Sequence, residues 1–239
     1  KVDTYPGYFR IGGSWVRDAN NYNVLSLTGI IQKSSNVGVS KLVLDMPIEH
    51  VIGLYANMGL GIDTGLGLNG ESSGMLSHRR RWSDHERATL SFGYGLSVTA
   101  AQLARAYATM ANGGVSRPLT ILKNEQQHPG EQVLAPEHAA AMLEMMEANI
   151  MPGGTATKAQ VKGYRVGGKT GTARKAIAGG YGEDYVASFA GVGPVSNPRL
   201  ACVVVINEPA GDFYHGGEIA APVFANIMGA TMQLLNLTP

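Results

Sequence analysis

A single cysteine, Cys202, in 239 residues rules out an internal disulfide framework. It lies in the apolar run Leu200 to Ile206, the setting of a buried and inert thiol. No apolar stretch approaches the roughly 20 residues that span a bilayer, and no signal-peptide pattern is visible. Charge of one sign is missing as well: 19 Lys and Arg against 18 Asp and Glu leave a net charge of +1. Nothing in that balance points to nucleic acid or an anionic membrane as a partner. The one basic run, His78-Arg79-Arg80-Arg81, reads as a solvated loop, and the six histidines show no metal-ligand spacing. Internal repeats and low-complexity tracts are absent.

What the chain does have is 44% hydrophobic residues, enough for the core of one large domain or two small ones. Its 32 glycines are close to twice the ~7% share usual in globular proteins. They cluster between periodic segments and so predict irregular loops around a cleft. The chain opens at Lys1 directly into Asp3-Thr4-Tyr5-Pro6-Gly7, which reads as the middle of a globular sequence and hence as a fragment or processed chain.

Residues 1 to 23 alternate around Gly12-Gly13 and predict small strands or a hairpin. From Leu25 to Gly59 the apolar period is helical, with Ser34-Ser35-Asn36 at a junction between two helices. Residues 59 to 98 predict irregular chain, with Ser91-Phe92-Gly93-Tyr94-Gly95 a structured loop. Thr99 and Gln102 form a capping box that opens a helix ending at Gly113, and Pro136 opens another running to about Ile150. Met142, Met145 and Met146 belong to the core side of that helix. Beyond Gly153-Gly154 come strands at Gly163 to Thr172, Val186 to Val192 and Leu200 to Ile206. The last is apolar on both faces, which predicts a central strand, and Ile219 to Leu237 supplies a covering helix with Pro222 in its first turn. The architecture is therefore α+β: a mainly helical and loop region over residues 1–160, then strands and a final helix over 161–239.

Two glycine patterns suggest nucleotide chemistry. Gly65 to Gly70 matches G-x-G-x-x-G, but no strand enters it and no helix leaves it. Gly163 to Thr170 fits the P-loop pattern, with Val203 to Glu208 as a degenerate partner strand. A phosphate cradle there requires a helix to begin at Lys169-Thr170, and Gly171 and Gly179-Gly180 oppose one. The competing reading makes Lys169-Thr170-Gly171-Thr172 part of an edge strand beside a cleft. There the glycine lets a ligand approach, the hydroxyls bind a carboxylate and the ammonium adds charge. Such an edge suits a peptide added in β-fashion.

Ser34-Ser35-Asn36 together with Lys169-Thr170-Gly171-Thr172 resembles the S-x-N and K-T-G motifs of the penicillin-binding transpeptidases. Ser91 to Gly95 and Tyr214-His215-Gly216-Gly217 are similar to the same family, and the likeness extends over essentially the whole chain. It is strongest toward the division-specific class B enzymes of Gram-negative bacteria. The resemblance implies a penicillin-binding/serine β-lactamase-like fold, an antiparallel sheet covered by helices with a helical subdomain. It implies that Ser34 relays a proton between the general-base lysine, Lys169 and the leaving amine, while Asn36 holds the base and the substrate amide. It further implies that the amide of Thr172 is an oxyanion donor, that Thr170 and Thr172 face a carboxylate, and that Ser35, Tyr94, Gly171, Arg174, Gly216 and Gly217 bind substrate. Peptidoglycan stem peptides and β-lactam antibiotics follow as ligands, with no cofactor, metal or nucleic acid. A periplasmic location, an inner-membrane anchor outside these residues, and division-machinery partners including a lipid-linked glycan polymerase also follow.

One motif of the family is missing. Its nucleophile lies in S-x-x-K, and the residues three before each lysine from Lys33 onward are Ile30, Gly38, Thr120, Thr155, Ala159, Val166 and Thr172, none of them serine. Thr155-Ala156-Thr157-Lys158 is an imitation in a Pro- and Gly-rich loop. The chain therefore resembles the downstream part of a transpeptidase domain, without the N-terminal part that carries the nucleophile, and on its own is expected to be inactive. A noncatalytic peptide-binding or scaffold module that keeps the cleft remains an alternative, as does a P-loop-like nucleotide-binding protein.

Overall fold

A computed structural model of the chain describes residues 1–77, 79–123 and 128–239. Its elements run β1 (Val2–Asp3), β2 (Tyr8–Ile11), β3 (Ser14–Arg17), β4 (Val24–Leu25), α1 (Leu27–Lys33), α2 (Asn36–Leu44), α3 (Ile48–Asn57), β5 (Met75–Leu76), α4 (Asp84–Ser91) and β6 (Leu96–Ser97). Then follow α5 (Ala100–Ala111), β7 (Val115–Ser116), β8 (Glu131–Gln132), α6 (Pro136–Ile150), β9 (Gly167–Ile177), β10 (Gly180–Gly193), β11 (Leu200–Asn207) and α7 (Gly216–Leu234). They fall into two compact units, one of residues 1–106 and 115–133, the other of 107–114 and 134–239.

In the first unit β2 and β3 form the expected hairpin, turned by Gly12 and Gly13 at positive φ. Helices α2 and α4 pack together around Val37, Ala88 and Leu90, all essentially inaccessible to solvent. Helix α4 corrects the reading of residues 59 to 98 as irregular. Ser83 and Glu86 make a reciprocal capping box at its start, but the polar run Asp84 to Arg87 hides the apolar period. The anticipated capping box of α5 is present: Thr99 N–H donates to Gln102 Oε1 at 3.0 Å, and Gln102 N–H to Thr99 Oγ1 at 3.2 Å. The amide of buried Gln102 also donates to the carbonyls of Ile62 (2.5 Å) and Ser73 (2.8 Å), pinning the glycine-rich segment. Within the basic run, Arg79 pairs with Glu86 and lies over the Trp82 ring, while His78 lies outside the described residues.

In the second unit an antiparallel sheet is ordered β11-β10-β9. Helix α7 packs on β10 and β11 through Phe224, whose ring centroid is 4.6 Å from that of Phe189. Helix α6 packs Leu143 and Met146 against Val192, three positions along β10 and so on the opposite face. The strand covered on both faces is thus β10. Leu200–Asn207, read as central, pairs only with β10 among the described residues, and its Val205 is 46% exposed. Its apolar composition does not by itself fix its place in the sheet. Helix α7 begins at Gly216, three residues before the expected start, so Pro222 falls in the second turn. Cys202 is a free, half-buried thiol whose pKa burial raises. No helix among the described residues is long and apolar enough to cross a membrane.

Candidate active site

Ser34 caps the C-terminus of α1 with φ 54° and ψ 44°, a left-handed conformation that a non-glycine residue adopts at a cost of about 1 kcal/mol or more. The chain turns there, so Ser35 can cap the N-terminus of α2. Its hydroxyl accepts from Gly38 N–H at 2.9 Å and donates to Asp18 Oδ2 at 2.6 Å. Asp18 Oδ1 accepts from Val37 N–H at 2.9 Å, and Asn36 Nδ2 donates to Arg17 O at 3.3 Å. One carboxylate, placed just after β3, therefore holds the first turn of α2 and with it the whole Ser-Ser-Asn segment. A negative group at this helix end also complements the helix dipole. Sequence reasoning missed Asp18, because nothing in Arg17-Asp18-Ala19-Asn20 marks it. Gly38 allows the two helices to meet, since a Cβ there would press into Ile30.

Tyr94 belongs to the loop that leaves α4, held by its N–H to Thr89 O (3.1 Å) and an edge contact with Phe92. Gly93 and Gly95 on either side have positive φ, so glycine is required by the turn itself. Ser91 in the same segment donates to Ala88 O and approaches Ser40 of α2. The loop and the Ser-Ser-Asn turn are thus fixed to one pair of helices.

In the second unit Lys169, Thr170, Gly171, Thr172 and Arg174 all lie on β9, which takes one neighbour, β10, among the described residues. The nucleotide alternative fails here: the would-be P-loop runs into a strand, and no helix begins at Lys169. The Lys169 ammonium donates back to Thr170 O at 3.1 Å and Thr170 Oγ1 at 3.4 Å. Burial pushes its pKa down to about 8, which makes it readier than an ordinary lysine to exchange a proton near neutrality.

The glycines of this region permit close approach. A Cβ on Gly171 would collide with Ser188 Oγ, and one on Gly216 with the carbonyls of Gly171 and Ser188. One on Gly217 would strike the carbonyl of Thr155. The start of α7 is thereby brought onto β9, where Gly216 N–H, otherwise without an intrahelical partner, donates to Thr172 Oγ1 at 3.1 Å. Arg174 is exposed, with its guanidinium 5.9 Å from the centroid of the Tyr185 ring, which stacks on Tyr214 at 4.3 Å.

Beneath Thr170 lies a second residue that the sequence reading missed. Asn149 near the end of α6 is fully buried, and its Nδ2 donates to Gly168 O at 2.9 Å. Its Oδ1 accepts from both Thr155 N–H (3.2 Å) and Thr155 Oγ1 (2.8 Å), and Thr155 Oγ1 is 3.0 Å from Thr170 Oγ1. A signal was available: Asn149 falls three residues after Met146 on the inward stripe of α6, where a polar side chain needs partners.

This arrangement has known counterparts. The penicillin binding protein transpeptidase domain family matches residues 1–229. The chain is 50% identical over 239 residues to peptidoglycan D,D-transpeptidase FtsI of Escherichia coli K12, covering all of this chain and 40% of that protein. It is 42% identical over 231 residues to the FtsI of Buchnera aphidicola subsp. Baizongia pistaciae, covering 94% of this chain and 40% of the relative. Among solved structures, the transpeptidase domain of Burkholderia pseudomallei penicillin-binding protein 3 superposes with a TM-score of 0.94 at 40% identity, over all of this chain and 73% of that one. The chain spans about two fifths of the length of the curated relatives it matches. From its fold, its motifs and this likeness together, the chain belongs to the penicillin-binding protein transpeptidase domain family.

Proposed function

We propose that these residues form the recognition and proton-relay part of a peptidoglycan D,D-transpeptidase acting in septal cross-linking, one that is acylated by β-lactams on a serine outside the 239 residues. The observation that carries this reading is β9. It combines a sheet edge that takes no second strand among the described residues and so suits an extended peptide, two threonine hydroxyls, and a lysine whose ammonium is desolvated to a pKa of about 8. Lys169 supplies positive charge toward a ligand carboxylate. Ser34 relays a proton from the general-base lysine to the departing D-alanine amine when the acyl-enzyme forms, and Asn36 orients the stem-peptide amide. The N–H of Thr172 donates to the oxyanion. Ser35 holds the first turn of α2, while Tyr94, Thr170, Gly171, Arg174, Gly216 and Gly217 frame the peptide. The division role, the periplasmic location with an inner-membrane anchor, and partnership with a lipid-linked glycan polymerase rest on similarity to the FtsI proteins.

The test is release of D-alanine from a stem pentapeptide by the protein extended upstream through an S-x-x-K segment. Ser34→Ala is expected to lower turnover about 10²-fold while leaving the fold intact, the scale of a lost proton-transfer group. Turnover unchanged by that substitution would remove Ser34 from the relay.

A further inference from the structure

Strand alternation gives the β2–β3 hairpin two unlike faces. Phe9, Ile11 and Val16 turn inward onto Val37 of α2 and Ala88 of α4. Tyr8, Arg10, Trp15 and Arg17 turn outward, with Tyr8 opposite Arg17 and Arg10 opposite Trp15. Trp15 is 50% exposed and Tyr8 48%, so neither ring belongs to the core. The two rings meet edge to face with centroids 5.4 Å apart, and the Arg17 guanidinium lies 5.5 Å from the centre of the Trp15 ring. These contacts hold the indole in place before any ligand arrives. Neither Arg10 nor Arg17 has a carboxylate partner among the described residues. The acids nearby in the chain are engaged elsewhere: Asp18 by Ser35 and Val37, and Asp3 by the N–H of Tyr5 at 2.9 Å.

This aromatic and cationic face is continuous with the Ser-Ser-Asn motif. Asn36 Nδ2 donates to the carbonyl of Arg17, so the Tyr8–Arg17 end of the hairpin is anchored at the motif. The Arg10–Trp15 pair lies two residues farther along, about 7 Å away. A glycan strand bearing a stem peptide matches both the spacing and the charge. Its sugar ring offers an apolar C–H face to an indole, and the peptide leaving that sugar carries an acidic residue on its way to the motif. A guanidinium takes such a carboxylate through paired N–H donors. Two cations are few for an anionic membrane, where each adds about 1 kcal/mol. An acidic protein segment would match the charge but has no use for continuity with the motif.

We propose that the outer face of the β2–β3 hairpin is a glycan subsite beside the Ser-Ser-Asn motif: Trp15 and Tyr8 stack on a sugar ring of the strand that carries the stem peptide, and Arg10 and Arg17 pair with the carboxylate of that peptide's acidic residue. The proposal rests on the transpeptidase reading and adds to it a preference for peptide still attached to its glycan.

The test compares two substrates of the protein extended through S-x-x-K: a stem pentapeptide, and the same pentapeptide on its N-acetylglucosaminyl-N-acetylmuramic acid disaccharide. The readout is the ratio of kcat/KM for D-alanine release with and without the sugars, which a merely structural loss leaves unmoved because it lowers both terms. Trp15→Ala is expected to lower the ratio about tenfold, through KM and not kcat, the scale of one lost aromatic contact. Trp15→Phe, which keeps a ring, should recover part of it. Arg10→Gln with Arg17→Gln should raise KM about tenfold for the pentapeptide with a free acidic residue, the effect of losing a hydrogen bond to a charged group, and not for one with that residue amidated. A ratio unmoved by Trp15→Ala would overturn the proposal, as would a double glutamine variant that affects the acidic and amidated peptides alike. An unmoved ratio, with binding to phosphatidylglycerol vesicles or to polyglutamate lost in the double variant, would assign the face to a membrane or an acidic protein instead. If the parent releases D-alanine from neither substrate, the transpeptidase reading fails. The Trp15 indole N–H signal, followed by NMR during titration with the disaccharide alone, then still decides the sugar platform: a saturable shift supports it and no shift refutes it.

Discussion

The hydroxyl of Ser35 donates to Asp18 at 2.6 Å, and the other oxygen of that carboxylate takes the amide of Val37 at 2.9 Å. A residue that ends the hairpin segment thereby sets the first turn of the helix carrying the Ser-Ser-Asn motif. Asp18→Asn keeps the shape but turns one acceptor into a donor, which then faces either an N–H or a hydroxyl already bonded to Gly38. A loss of about 1–3 kcal/mol is expected in urea denaturation. Ser35→Ala should cost a similar amount, and the double variant clearly less than the sum, because both remove the same bond. Full additivity would show that the two residues act separately.

Gly216 offers a second check. Alanine there must displace the carbonyls of Gly171 and Ser188, moving α7 off β9 and breaking the bond from Gly216 N–H to Thr172. Gly216→Ala is expected to cost about 1–3 kcal/mol, the range for overpacked sites, and to slow β-lactam acylation of the extended protein. Gly53→Ala, at an open position within α3 with no positive φ, reports the effect of the added methyl on helical backbone alone. Equal losses in the two variants would deny the close approach.

Lys169 links stability to pH. Its folded pKa of about 8 lies below the ordinary 10.5, so the unfolded chain binds the proton more tightly. That destabilisation is fully present below pH 8 and fades as pH rises toward 10.5. Lys169→Met should therefore be more stable than the parent at pH 7, by about 3 kcal/mol at most. The advantage should shrink by about 1.4 kcal/mol per pH unit above 8. Denaturation at pH 7 and pH 9 measures it, and an advantage that does not shrink between the two would show that folding leaves the Lys169 pKa unchanged.

How much of this could be read in advance depended on where the determining interactions lay. Caps and breakers are local, so Thr99 with Gln102, Pro136, and the Ser34 junction marked helix limits close to those observed. Helix α4 escaped because its cap, Ser83 with Glu86, opens a turn of charged residues and leaves little apolar period. Leu200–Asn207, read as central, takes one strand neighbour among the described residues, because the place of a strand follows from what packs and pairs against it, which its own residues do not state. For the site, the candidates were read from residues in contiguous motifs. Asp18 and Asn149 were not, since each acts through partners distant in the chain: Ser35 is 17 residues from Asp18, and Gly168 is 19 residues from Asn149.

The most direct test is intact mass spectrometry after incubation with penicillin, on the 239 residues alone and on the protein extended upstream through an S-x-x-K segment. Relay and recognition groups without an activated serine cannot hold an acyl group, and the proposed relay role gives Ser34 a proton to pass and no carbonyl to attack. The transpeptidase reading requires one penicilloyl adduct on the extended protein, mapped to the S-x-x-K serine, and none on the shorter chain. An adduct on Ser34 of the shorter chain, or no adduct on either, would contradict it.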